Sequence, residues 1–518
     1  MILVDKMIVI GEKKLELESF KQIVYLGQKV KVSDLALEKT HKSFSFLKEF
    51  SKNSIIYGVN TGLGPMAQYR ISKEEQIELQ YNLIRSHCAG AGNLIPDAYV
   101  KALMLGRLNS LIQGYSAIHE EWILLLAEYI NHDIYPEIFE HGGVGASGDL
   151  VQLAHLALAL IGEGNARYKG VSRPIAEILQ EVGLKPATIH LREGLGIMNG
   201  TSCMTGIGLC TIIQAKALLN WSLLASCMLN EVAESYDDHF SKELNQVKLH
   251  PGQRQVAEAM RTILFDSKLI RRRSEHLYNK EIKQPVFVEK VQEYYSLRCI
   301  PQILGPILDT VKNCEKVLID EVNSANDNPI VDVATHDIYH GGNFHGDYVS
   351  FEMDKLKIAI TKMAMLAERQ VNFLMNKSLN GKLPPFVNLG KLGFNFGMQG
   401  VQFTATSTVA ENQTISYPMY LHSIPNNNDN QDIVSMGTNA ALLAAKVVGN
   451  SYDVLAIELM SLLQAIDYLK FPEQLSSLTR DAYRAIRDVF PSFVLDSVKY
   501  TDIQSIKTDV LKESPDFL

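Results

Sequence analysis

His141-Gly142-Gly143-Val144-Gly145-Ala146-Ser147-Gly148-Asp149 is the stretch on which the reading of this chain turns. Just beyond it, Leu150, Leu153, Ala154, Leu156, Ala157, Leu160 and Ile161 recur on one helical face. Asp149 stands where a helix N-terminus favours a negative side chain. The spacing predicts a tight, glycine-rich turn at Ala146-Ser147-Gly148 that enters a helix.

Such a turn can react on its own backbone. If the Gly148 nitrogen is pressed against the Ala146 carbonyl carbon, a five-membered ring can close with loss of water. Glycine suits the nucleophile because no side chain blocks its approach and strained torsions are open to it. Ser147 can then lose its hydroxyl as a second water, leaving an exocyclic methylene. The product, a methylidene-imidazolone, is an electrophile in a polymer that otherwise supplies nucleophiles. A plain helix-entry loop is the alternative that the tripeptide alone leaves open.

Composition sets the outer bounds. The 518 residues can bury a large core and by size would divide into two or more domains. Apolar residues make up 46% and charged residues 21%, as in ordinary globular chains. A net charge of −8 gives no basic footprint for nucleic acid. Six scattered cysteines, with no Cys-x-x-Cys pair, read as buried thiols and suit a reducing cytoplasm. The start, Met1 to Lys6, is charged too soon for a signal peptide. No uninterrupted apolar run reaches about 18 residues, so no membrane span is expected.

Along the chain, short β-branched runs at 7–10 and 29–32 predict strands, with a helix near 16–26. Ser33-Asp34 should cap a helix reaching about Phe50. Residues 53–57 read as a strand entering Tyr57-Gly58-Val59-Asn60-Thr61-Gly62-Leu63-Gly64. That loop lacks both the Lys-Ser/Thr ending of a P-loop and the G-x-G-x-x-G spacing, so no nucleotide is expected. A helix carries Ser86-His87 and ends near Gly90, and Asn199 stands where a helix could start. Stretches 206–235, 306–322, 352–376 and 438–469 have apolar residues on more than one helical face, which predicts a long-helix central bundle. The expected division is a mixed N-terminal domain over 1–202, the bundle over 203–470 and a helical tail over 471–518.

Three further segments stand out. Val291–Cys299 predicts a short helix with Gln292, Tyr295 and Arg298 near one face. The polar turn 323–329 precedes Tyr339-His340-Gly341-Gly342-Asn343-Phe344-His345-Gly346. Residues 423–432 form a dense amide-rich loop that includes Gln431. His340 and His345 have no acidic or thiol partner at a ligand spacing, so no metal is expected there.

Gly-Gly-Val-Gly-Ala-Ser-Gly-Asp-Leu with its Leu/Ala-rich helix resembles the aromatic amino acid ammonia-lyases, which act on histidine, phenylalanine or tyrosine. The resemblance extends to Tyr57–Gly64, to Glu193-Gly194-Leu195 with Asn199-Gly200-Thr201, and to the three segments above. It implies a mainly α fold of the ammonia-lyase and fumarase-like superfamily, although the fumarase-type Gly-Ser-Ser signature is absent. It further implies a 4-methylidene-imidazol-5-one (MIO) group formed from Ala146, Ser147 and Gly148, with no metal and no nucleotide.

The resemblance also implies roles. Tyr57 would take the β-proton, which requires surroundings that favour its phenolate. Arg298 would hold the substrate carboxylate as a fork, helped by Asn199 and Gln292. Tyr295 would assist the departing amine, Phe344 would pack near the ring, and Gly64 would lie in the Tyr57 loop at the substrate. Ser86, His87 and Glu411, with Gln431 near, would meet the far end of the substrate ring. The family assembles as a homotetramer whose sites draw on three subunits. The wider match is to flavobacterial-type tyrosine lyases, which implies L-tyrosine giving trans-p-coumarate. Histidine ammonia-lyase and an MIO-dependent 2,3-aminomutase are the alternatives within the chemistry; an inactive helical scaffold that binds partners is the alternative outside it.

Overall fold

A computed structural model describes residues 7–278, 285–287 and 289–518. Met1 to Lys6, read above against a signal peptide, lie outside the described residues. The chain forms two compact units, each discontinuous in sequence. Met1–Ile212, Cys314–Asp354 and Pro418–Ala445 make the first; Ile213–Asn313, Lys355–Tyr417 and Lys446–Leu518 make the second. The three consecutive segments expected from sequence divide the chain differently. The helices Ser202–Ala233, Ile300–Val322, Asp347–Met375 and Gly437–Leu469 each contribute residues to both units, so no boundary follows chain order.

The first unit opens on a parallel pair of strands, Ile8–Ile10 with Val30–Val32. Helix Asp34–Phe50 begins where expected: the Ser33 hydroxyl accepts the Ala36 N–H at 3.2 Å, a cap worth about 1 kcal/mol. The expected strand at 53–57 is absent. The Asn60 side chain instead accepts from the Ile56 N–H at 2.8 Å and donates to the Ser54 carbonyl at 2.8 Å. Those local bonds satisfy the backbone groups a ladder would have used.

Helix Leu150–Leu160 buries Leu153, Ala154, Leu156, Ala157 and Leu160 against the helices Gln76–His87 and Glu193–Met198. The long helix Ser202–Ala233 runs close to Asp97–Leu111. A Cβ on Gly206 would stand 2.7 Å from the Leu103 nitrogen, so only glycine permits that approach. Ser202–Ala233 and Gly437–Leu469 are long and apolar enough to cross a membrane by length and composition, yet 78% and 56% of their apolar windows are buried inside the protein.

In the second unit the buried Glu231 carboxylate accepts from the Ser476 N–H and the Thr479 hydroxyl, both at 2.6 Å. A core helix thereby caps the start of Ser477–Val489. The helix expected from Pro306 begins earlier, at Ile300, and carries Pro306 inside it. The segment expected as a helix over 291–299 is helical only at Tyr295–Arg298, so Gln292 precedes it. All six cysteines are free thiols, four of them buried.

Candidate active site

The Ala146-Ser147-Gly148 turn is fixed from three sides within the first unit. Gly148 has φ +72°, and a Cβ there would lie 2.1 Å from the Gly200 carbonyl oxygen. No other residue fits, which leaves the Gly148 nitrogen unobstructed by a side chain. Ala146 is buried beneath. The Asn199 amide donates to the Ser147 carbonyl at 3.0 Å, and the Gln431 amide donates to the Ser147 hydroxyl at 2.8 Å. From outside, the Met436 N–H holds the Val144 carbonyl at 2.9 Å and the Gly346 N–H holds that of Gly145 at 3.0 Å.

Asp149 is buried but does not cap its own helix. Its carboxylate accepts from the Cys203 and Met204 N–H groups at 2.8 and 3.0 Å, and from the Thr438 hydroxyl at 2.5 Å. It therefore caps the Ser202–Ala233 helix, where the exposed N–H groups favour an anion. Burial nonetheless pushes the Asp149 carboxyl up to about 6, against the hydrogen bonds of Thr438, Met204 and Cys203. Asp149 thus stands at the start of helix Leu150–Leu160 as expected, while its carboxylate serves the start of Ser202–Ala233.

Asn199 is not a helix-start residue; it follows Glu193–Met198 and precedes the long helix by three positions. Its Oδ1 accepts the Asn328 N–H at 2.8 Å. The 326–328 turn is in turn held by a buried ion pair. Arg192 Nη1 and Nη2 donate to the two Asp327 oxygens at 3.1 and 3.2 Å, and Nη2 also reaches the Asn328 carbonyl at 3.1 Å. Neither partner of that pair was singled out from the sequence, because charged residues ordinarily read as surface.

Beside the turn lies a cavity of about 630 Å³. Its lining includes Tyr57, Gly64, Ser86, His87, Ser147, Asn199, Phe344 and Gln431. The Gly64 N–H donates to the Tyr57 hydroxyl oxygen at 2.9 Å, a contact that strengthens when that oxygen carries charge. The Tyr57 N–H meets His340 Nε2 at 3.4 Å. Burial, and then the Arg192 charge, hold His340 below the usual imidazole range, which suits an acceptor. Gln431, expected near Ser86 and His87, lines the same cavity and bonds Ser147. Asn328, Asn427 and Asn430 also line the cavity; the amide-rich segments pointed to them only as segments.

Four expected site residues are not in that lining: Gln292, Tyr295, Arg298 and Glu411. All four belong to the second unit. Arg298 Nη1 donates to Gln292 Oε1 at 2.6 Å, and its guanidinium lies 4.8 Å from the Tyr295 ring centre. Arg298 Nε is buried with no hydrogen-bond partner among the described residues. Tyr295 is 69% exposed. Gln292 and Arg298 share a cavity of about 260 Å³ with Asp238, His239 and Arg273. Glu411 accepts from Lys446 at 2.7 Å and Asn450 at 2.8 Å, and the Lys446 bond, then that of Asn450, holds it below the usual carboxylate range.

The turn thus presents a glycine nitrogen unobstructed by a side chain, beside Tyr57 and the Asn199 carboxamide. Residues 15–488 match the family model for aromatic amino acid lyases. The chain belongs to that family. It is 38% identical to a tyrosine ammonia-lyase of Cupriavidus metallidurans, over 88% of this chain and 86% of that protein. It is 35% identical to a histidine ammonia-lyase of Bacillus velezensis, over 98% and 96%. Its fold matches the crystal structure of a tyrosine aminomutase from Streptomyces globisporus with a TM-score of 0.93, at 34% identity, over 98% and 97% of the two chains. The family comprises carbon–nitrogen lyases and aminomutases of aromatic amino acids, and its mainly α, long-helix fold is the one described above.

Proposed function

We propose that this protein eliminates ammonia from L-tyrosine to give trans-p-coumarate. The observation that carries the reading is the convergence of the Asn199 and Gln431 amides on the two oxygens of Ser147, in a cavity that also holds Tyr57. The turn fits an MIO group, since the glycine position cannot hold a Cβ and Ala146 is small and buried. When formed, that group supplies an electrophile for the substrate amine.

The chain's own residues do the rest. Tyr57 takes the β-proton, with the Gly64 N–H stabilising charge on its oxygen. The Arg298 Nε, without a partner among the described residues, and the adjacent Gln292 amide suit the substrate carboxylate, and Tyr295 assists the leaving amine. Phe344 packs at the ring. The working assembly in this reading is the homotetramer with shared sites that the family resemblance implies. Glu411 would then reach the ring end from another subunit. The six free cysteines suit a reducing cytoplasm.

His87 supports tyrosine. Its Nδ1 lies 3.0 Å from the Leu83 carbonyl, which can only accept. With Nδ1 donating to that carbonyl, and the Ser86 hydroxyl 3.1 Å away able to accept the same hydrogen, Nε2 is left as an acceptor for a phenol O–H. An imidazole N–H could use the same acceptor, and the likeness to the Bacillus enzyme favours that second reading. The likeness to the Streptomyces enzyme favours a third, migration of ammonia to Cβ. Separate incubation with Tyr, Phe and His, followed by product analysis, distinguishes them. The expected product is p-coumarate; urocanate formed faster, or β-tyrosine as the main product, would replace the reading.

A further inference from the structure

A cluster outside the cavity described above joins the start of helix Glu120–Asn131 to the segment before helix Glu193–Met198. We propose that His119, Glu121 and His190 form a binding site for a divalent transition-metal ion of the zinc class. Glu121 Oε2 lies 3.0 Å from His190 Nε2 and 3.4 Å from His119 Nδ1. One donor atom from each of the three falls within 4.8 Å of the others. Donors placed about 2.0 Å from a tetrahedral zinc stand about 3.3 Å from one another, so little movement separates this arrangement from a coordination shell.

The donors are also held in place by their surroundings. Glu121 Oε1 accepts the Thr188 N–H at 2.5 Å, which aims Oε2 at the histidines. Glu193, fully buried, accepts the His119 N–H at 3.2 Å and the His190 N–H at 2.9 Å, so one carboxylate ties down both histidine backbones. Phe44 meets both rings edge-on, at 5.1 and 6.2 Å between centres. Orientation of first ligands by such partners is what metal sites require. An ordinary surface hydrogen bond would need one histidine. Here a second ring lies 4.2 Å from the first, and its Nδ1 has long 3.4 Å contacts with the Glu121 N–H and Oε2, which a metal would replace.

Two imidazoles and one carboxylate suit zinc, cobalt, nickel or copper rather than magnesium or calcium, which prefer oxygen ligands. Each of the three side chains is about a third exposed, which leaves room for water as a fourth ligand. The ion would clip the start of helix Glu120–Asn131 to the segment that leads through Glu193–Met198 to Asn199. Its role would be structural, because none of the three residues lines the cavity of the first unit. Sequence could not show the site: Glu121 and His190 are 69 positions apart.

The test uses the full-length protein, stripped with EDTA and desalted. Zinc chloride is titrated by calorimetry against wild type, His190→Ala and Glu121→Gln, with magnesium chloride as the control ion. Wild type should bind one zinc per chain beyond what either variant binds, with affinity at that site falling at least about tenfold in each variant. Cobalt(II) should give the visible absorption of a four-coordinate ion in wild type, which decides the matter alone if a variant does not fold. Equal zinc binding by wild type and both variants, or a six-coordinate cobalt spectrum, would overturn the proposal.

Discussion

The turn at Ala146–Asp149 and the segment from Gln292 to Arg298 both carry residues implicated in one reaction, yet they are held in opposite ways. Around the turn, polar contacts go to distant parts of the same unit, among them Asn199, Gln431, Ser435, Gly346 and the start of the Ser202–Ala233 helix. In the 292–298 segment, Arg298 pairs with Gln292 and covers Tyr295, residues of its own stretch, while its Nε finds no partner among the described residues. Tyr295 stays largely exposed. The turn proposed to cyclise is held from several directions by its surroundings.

The largest effect should come from breaking the first region. Ser147→Ala removes the hydroxyl that must leave, so it should abolish nearly all turnover. By mass spectrometry, wild type should be lighter by two waters in the peptide holding Ala146–Gly148, and the variant should not. An unmodified wild type with full activity would end the cyclisation reading.

Tyr57→Phe keeps the ring and removes one oxygen. Substrate binding should survive while kcat falls roughly 10²–10⁴-fold, the usual loss for a general base. A loss below about tenfold would assign the proton to another group.

Mixing sharpens the contrast between the regions. Ser147→Ala and Arg298→Ala should each be inactive alone. Co-expressed, random assortment should restore roughly a quarter of the sites if each site takes its turn and its arginine from different chains. No recovery in verified mixed oligomers would mean that one chain supplies both.

The support beneath the turn can be tested through stability. Asp327→Asn leaves the fully buried Arg192 without its countercharge and should cost about 3–5 kcal/mol by denaturant unfolding. A change under about 1 kcal/mol would show that the Asn328 carbonyl and the Ser116 carbonyl suffice for Arg192.

The smallest expected change is in preference. His87→Phe trades an acceptor for an apolar edge, so the ratio of kcat/KM for Tyr over Phe should fall, by about 1–3 kcal/mol in free-energy terms. An unchanged ratio would remove His87 from substrate recognition.

Much of this was legible in the residues. The Ser33 cap, the four long helices and the glycine-rich turn follow from local signals that tertiary contacts reinforce. The misreadings share a cause. Residues 53–57 have strand-like side chains, but the Asn60 amide captures their backbone groups. Asp149 stands at the start of its own helix as expected, but its carboxylate bonds the Ser202–Ala233 helix. Pro306 reads as a helix start, yet it sits inside a helix that begins at Ile300.

By itself the sequence determined the chemistry on offer and the long apolar helices, because residue type and short-range periodicity carry both. It could not determine which distant groups meet. That Gln431 reaches Ser147 across 284 positions, that Arg192 buries Asp327 across 135 and that two histidines converge on Glu121 depend on long-range packing. The tertiary structure decided these pairings because a buried polar group must find a partner wherever the fold places one.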